Sequence, residues 1–172
     1  DPAAAAGYYR SAAGDVPDYF SANYHLGRLL AANQPREALA LLDRSVKSRP
    51  LSSQARTVAA GVLAASGDTA GALEKLDEVV VLFPFHAPAY HERARLLAGL
   101  ERMQEAEESL NAAVRANAYY TPSLVVIGTI CLQSGDPDRA EKFFRAALET
   151  APRYIEAKVG LAETLAAAGD HH

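Results

Sequence analysis

The chain has 172 residues, of which 49% are hydrophobic, 22% charged and 8% aromatic, with a formal net charge of −4. The apolar share suffices for a core and excludes a disordered chain, while the acidic balance argues against a nucleic-acid binder, which needs a basic face. Alanine, the best helix former, supplies 36 residues and tryptophan none, which argues against an all-β fold before any pattern is read.

Taken in chain order, residues 1–18 carry Ala4, Tyr8 and Ser11 at helical spacing and predict one helix. Residues 19–52 predict two helices, broken at Asn33-Gln34-Pro35. Residues 53–86 predict two more, opened by Ser52 and broken at Gly67-Asp68. A third pair fills 87–120, opening on Ala87-Pro88, and a fourth fills 121–154, opening on Thr121-Pro122. In the fourth pair Leu124, Ile127, Gly128 and Cys131 form one stripe, and Ala140, Phe143, Phe144, Ala147 and Leu148 form the other. Between them, Asp136 can cap free amides while Pro137 takes the first helical position, where no N–H is needed. Residues 155–170 predict a last helix, ending in Gly169-Asp170, for ten in all. Residues 171–172 are two histidines, expected to be a tag remnant.

These pairs are copies of one unit. Ala38, Ala72, Ala106 and Ala140 are 34 residues apart, and Leu42, Leu76, Leu110 and Phe144 follow each by four. Pro50, Pro84, Ala118 and Pro152 close the units. Upstream, Leu29, Leu63, Leu97, Cys131 and Leu165 keep the same step, and Ala60, Ala94, Gly128 and Ala162 precede the last four by three. A fixed period of this length marks a stacked repeat, in which no unit can bury its stripe alone.

The pattern Leu124, Ile127, Gly128, Cys131, Ala140, Phe144, Ala147, Pro152 resembles the tetratricopeptide repeat. The resemblance covers residues 19–152 in units 19–52, 53–86, 87–120 and 121–154, with 1–18 as the second helix of a preceding partial repeat and 155–170 as the first helix of a fifth or a capping helix. It departs locally: Leu124 stands for the family's usual Trp, Cys131 for its Tyr, and His25 and Arg93 for a usual Leu, while Gly27 falls one place late. The half-repeats at both ends carry the expectation that the chain comes from a longer array and associates end to end. The resemblance implies an all-α, right-handed α-solenoid of helix-turn-helix units. Its concave face, lined by the first helix of each pair, is expected to bind a peptide or protein segment. The inward positions implied are Asn23, Gly27 and Leu30; Thr57, Gly61 and Ala64; His91, Arg95 and Ala98; and Val125, Thr129 and Leu132, with Val159 and Glu163 on the last helix. His91 and Arg95, one turn apart, are expected to meet a carboxylate together. The family's carboxylate-gripping set of Lys, Asn and Arg is not reproduced in any frame: the slots from the first unit hold Asn23, Gly27, Val58, Pro88 and Glu92.

No catalytic constellation emerges, so the chain is not expected to be an enzyme or to need a cofactor. His91-Glu92-Arg93-Ala94-Arg95 lacks the second histidine of a zinc-protease helix, and Gly67-Asp68-Thr69-Ala70-Gly71 lacks the Gly-Lys-Ser/Thr ending of a P-loop. Ser21 and His25 have no third partner. The lone Cys131 sits in a packing slot and permits neither an internal disulfide nor a cysteine zinc set. No run of 18 or more apolar residues exists, so direct membrane insertion is not expected, and a soluble chain of cytoplasm or periplasm is. The alternative function is a non-catalytic regulatory or substrate-presenting arm of a larger enzyme or an assembly or secretion protein.

Overall fold

The computed structural model describes residues 1–169; the expectations on Asp170 and on His171 and His172 lie outside them. The described residues form ten helices and no strand. They are α1 (Pro2–Asp15), α2 (Phe20–Leu30), α3 (Pro35–Ser48), α4 (Ser53–Ala65), α5 (Thr69–Leu82), α6 (Ala87–Gly99), α7 (Met103–Ala116), α8 (Thr121–Gln133), α9 (Pro137–Thr150) and α10 (Ile155–Gly169).

Local chemistry sets the ends of these helices. The side chains of Asp1, Ser52, Asp68 and Asp136 accept from the backbone N–H of Ala3, Ala55, Gly71 and Arg139 at 2.8, 3.3, 2.9 and 3.1 Å. Each capping oxygen replaces an amide partner that the first turn lacks. Prolines 2, 35, 88, 122 and 137 sit in first turns, where their missing N–H is harmless. The turns within three of the pairs also share a device at 34-residue spacing. Gly67 and Gly135 adopt φ of 91° and 76°, and Glu101 occupies the same place with φ of 60°. The next residue then bonds back to the first helix, Asp68 to Leu63 and Asp136 to Cys131. Glycine tolerates this left-handed backbone, whereas Glu101 carries a Cβ into it at a cost.

The helices divide into two compact units, residues 1–83 and 84 onward. In the first unit α2 packs on α3, α3 on α4, α4 on α5, and α1 on α2. Leu26, Leu30, Ala38, Leu41, Leu42, Ala59 and Val62 make its core, with Tyr9 and Tyr24 leaning against it. The second unit pairs α6 with α7, α8 with α9, and α10 with both α8 and α9. Its core gathers Leu110, Leu124, Ile127, Cys131, Ala140, Phe144 and Ala147 with Ala94 and Ala157. Each fully buried Leu or Phe contributes roughly 1.5–3 kcal/mol.

The alanines that recur at the repeat period have a structural reason. Ala38, Ala72, Ala106 and Ala140 are at most 3% exposed, at the close contact within each pair. Phe144 shows the other extreme. It is fully buried, and its ring lies against both Gly128 of α8 and Gly160 of α10, each closest to Cε1 and Cζ.

The first pair departs from the others by one residue. Gly27 faces Leu42 as Gly128 faces Phe144, yet the 34-residue period would put Leu26 there. The buried set Asn23, Leu26, Gly27 and Leu30 therefore corresponds to Leu124, Ile127, Gly128 and Cys131. Leu29, which the period places in the buried row, is 38% exposed, and Leu30 takes its role. Two polar side chains in buried rows each make a hydrogen bond beyond their own helix, although the buried Oδ1 of Asn23 has no partner. Arg93 Nη1 donates to Ser109 Oγ at 2.6 Å, tying α6 to α7, and Asn23 Nδ2 donates to the Pro17 carbonyl at 2.7 Å. His25 instead stacks on Tyr9, with ring centroids 5.2 Å apart.

Candidate functional site

The second unit holds an apolar cavity of about 240 Å³ among α6, α7 and α8. Its α6 wall is Ala94 with His91, Arg95 and Ala98, the three residues expected to face inward on that helix. Helix α7 contributes Met103, Ala106 and Leu110, and α8 contributes Val126 and Ile130. The space exists because Ala94, Ala98 and Ala106 end at Cβ where larger side chains would fill it.

The polar groups at this site are already ordered. His91 Nδ1 lies 3.1 Å from Ser123 Oγ, and its ring meets Tyr120 edge-on at 5.6 Å. Burial pushes the His91 pKa below its ordinary 6.5, opposed by the Glu92 charge and assisted by Arg95. The imidazole is therefore neutral near pH 7. Arg95 Nε donates to Glu92 Oε2 at 2.9 Å, with the Arg95 side chain 56% exposed. His91 and Arg95 thus share one cavity, and each has a partner of its own.

The other expected inward residues divide differently. Asn23, Gly27 and Leu30 are buried in the first unit, where they pack rather than face out, because of the one-residue offset in α2. The positions equivalent to Val125, Thr129 and Leu132, once Gly27 is aligned with Gly128, are Tyr24, Arg28 and Ala31, of which Arg28 is exposed while Tyr24 and Ala31 are half-buried against the core. The Arg28 guanidinium lies 5.7 Å from the Tyr24 ring centroid, a cation–π contact. Thr57 is buried and donates to the Ser53 carbonyl at 2.9 Å; Gly61 and Ala64 are half-buried beyond it. Val125 and Leu132 are half-buried against the core, and Thr129 is exposed, donating to the Val125 carbonyl at 3.0 Å. On α8 it is Val126 and Ile130, one position on, that line the cavity. Val159 and Glu163 are both exposed on α10. The sequence signal for the α2 offset was the displaced glycine, whereas Val126 and Ile130 carried none, since their place depends on how α8 docks.

Other reactive groups do not join this site. Cys131 is buried, and desolvation pushes its thiol pKa up, which suits packing and not nucleophilic work. Among the described residues, no three His, Cys, Asp or Glu side chains gather as metal ligands. No described helix is long and apolar enough to cross a membrane.

Comparison with known proteins agrees with this architecture. A model described as tetratricopeptide repeat matches residues 28–87 and 63–121, and a second of the same description matches 132–171. Tetratricopeptide repeat protein 33 of Xenopus laevis is 28% identical over 127 residues, 74% of this chain. The matched stretch is 47% of that relative, so the chain spans about half its length. Among solved structures, a thermophilic repeat protein of this kind from Thermus thermophilus, TTC0263, matches with a TM-score of 0.75 at 23% identity, covering 95% of this chain and 90% of that one. YrrB, described as a repeat protein with an unusual peptide-binding site, matches with a TM-score of 0.57 at 16% identity, covering 88% and 79%. Proteins of this fold generally mediate protein–protein interactions and are typically non-catalytic scaffolds. With family matches over most of its length, a 34-residue period and stacked helix pairs, the chain belongs to the tetratricopeptide repeat family.

Proposed function

We propose that the protein is a non-catalytic scaffold that holds a peptide or protein segment on the surface formed by its first helices, with the four units 19–52, 53–86, 87–120 and 121–154 as the repeats. The observation that carries this reading is the apolar cavity beside His91, Arg95 and Ala98, reached from three helices of one unit. Apolar concavities with a few placed polar groups are where binding energy concentrates. The peptide-binding site named for YrrB supports the reading by analogy of fold. The net charge of −4 favours a protein partner over nucleic acid.

Selection of displayed peptides against the wild-type chain, with Ala98→Trp as the counter-target, tests this. Selected peptides should bind the variant at least tenfold more weakly while its helical circular dichroism is unchanged. Peptides that bind both proteins equally would place binding elsewhere.

A second reading, self-association through the last helix, draws on one observation. Leu165 is 47% exposed at the repeat position where Leu97 and Cys131 are buried. Leu165→Glu should then abolish any concentration-dependent dimer seen by sedimentation, and a dimer unaffected by it would remove this reading.

A further inference from the structure

Building on the groove reading above, we propose that the α6–α7–α8 cavity recognises an extended segment by one apolar side chain and a neighbouring acidic side chain, the first entering the cavity and the second pairing with Arg95. At about 240 Å³ the cavity falls below the usual span of small-molecule sites and suits a single side chain of Leu, Met or Phe size. Its walls are apolar, and Met103, exposed and unbranched, can adjust to the occupant.

Charge supplies the second part of the specificity. Arg95 is the one lining residue with a formal charge at neutral pH, since burial holds His91 neutral. Glu92 accepts from Arg95 Nε at 2.9 Å, and the Arg95 side chain is 56% exposed, so a second acceptor can approach its guanidinium. A carboxylate can therefore add to the guanidinium in a charge-assisted contact without breaking the existing pair. In an extended peptide, residues two apart share a face about 6–7 Å apart, so an apolar–x–acid spacing fits a cavity with Arg95 on its wall. The acid is a side chain and not a chain terminus. The slots in which the family carries the several cations that grip a terminal carboxylate hold no such set here, with Asn23, Gly27, Val58, Pro88 and Glu92 in the first frame.

Titrations of the isotope-labelled full chain with four synthetic peptides test this. Three are acetylated and amidated, with central Leu-Gly-Asp, Leu-Gly-Lys or Ala-Gly-Asp; the fourth ends in a free Leu carboxylate and has no acidic residue. Leu-Gly-Asp should shift the amides of Ala98, Val126 and Ile130 and the Arg95 Nε–H, and bind at least fivefold more tightly than the other three. In Arg95→Gln its advantage over Leu-Gly-Lys should vanish while the preference for Leu over Ala persists. Equal binding of Leu-Gly-Asp and Leu-Gly-Lys, or tighter binding of the free terminus, would overturn the acidic-segment proposal and leave the groove reading standing. Shifts confined to other surfaces with every peptide would overturn both.

Discussion

Three glycines at mid-helix positions should respond to alanine with opposite signs. At Gly61 in α4 nothing lies within 4 Å of where a Cβ would stand. Alanine there relieves the entropic cost of glycine and should stabilise by about 0.5–1 kcal/mol. At Gly128 the added Cβ would stand 3.0 Å from Cε1 and Cζ of Phe144, and at Gly160 it would come closer still to the same ring. Both added methyl groups would press on Cε1 and Cζ of one fully buried ring, which can yield only by displacing its neighbours. Overpacking of this kind costs about 1–3 kcal/mol. Set against the propensity gain, Gly160→Ala should be destabilising by about 1–2 kcal/mol, with Gly128→Ala milder. Urea unfolding followed by circular dichroism measures all three. The double variant Gly160→Ala/Phe144→Leu should lose less than the sum of its parts, because the smaller side chain makes room for the methyl. A Gly160→Ala protein as stable as Gly61→Ala, or strict additivity with Phe144→Leu, would refute the account of how α8, α9 and α10 pack.

Three further outcomes follow from the same reasoning. Glu101→Gly should raise stability by about 1 kcal/mol, since it removes a Cβ from a left-handed backbone, and a thermal melt will show it. Leu76→Asp, at a fully buried position of α5, should destabilise by more than the roughly 2–5 kcal/mol expected of Leu→Ala, because a carboxylate is buried as well; an unchanged melt would contradict the packing described. Burial lowers the folded-state pKa of His91 below 6.5, so the unfolded chain takes up that proton first. Its contribution should be complete above pH 6.5, decline as the pH falls through 6.5 toward the folded value, and level off below it. His91→Gln should flatten that part of the stability–pH curve, and an unaltered curve would mean that the imidazole is solvated.

The repeat was legible because each unit must bury the same stripe, so Ala38, Ala72, Ala106 and Ala140 recur in register with their partners. The α2 offset was only half visible. Gly27 stood one place late in the pattern, but that Leu30 replaces Leu29 as the buried residue depends on how α2 rotates against Leu42. The cavity shows a similar division. His91, Arg95 and Ala98 were among the inward positions implied by the family resemblance, and they share one face of α6. Val126 and Ile130 were not, because which α8 residues close the cavity depends on the docking of α8 against α7, a tertiary contact that no local spacing encodes. His91 and Arg95 were expected to meet a carboxylate together, and the one Arg95 meets in the structure is Glu92, three residues earlier on the same helix.

The central claim is that a partner segment sits on the first-helix surface of the second unit. Amide chemical-shift mapping of the full chain with its tightest displayed peptide tests it most directly. The account predicts the largest shifts at His91, Arg95, Ala98, Val126 and Ile130, with exposed Glu107 and Glu108 of α7 and Lys142 of α9 unmoved. Shifts centred on Glu107, Glu108 and Lys142, with the cavity residues unmoved, would contradict it.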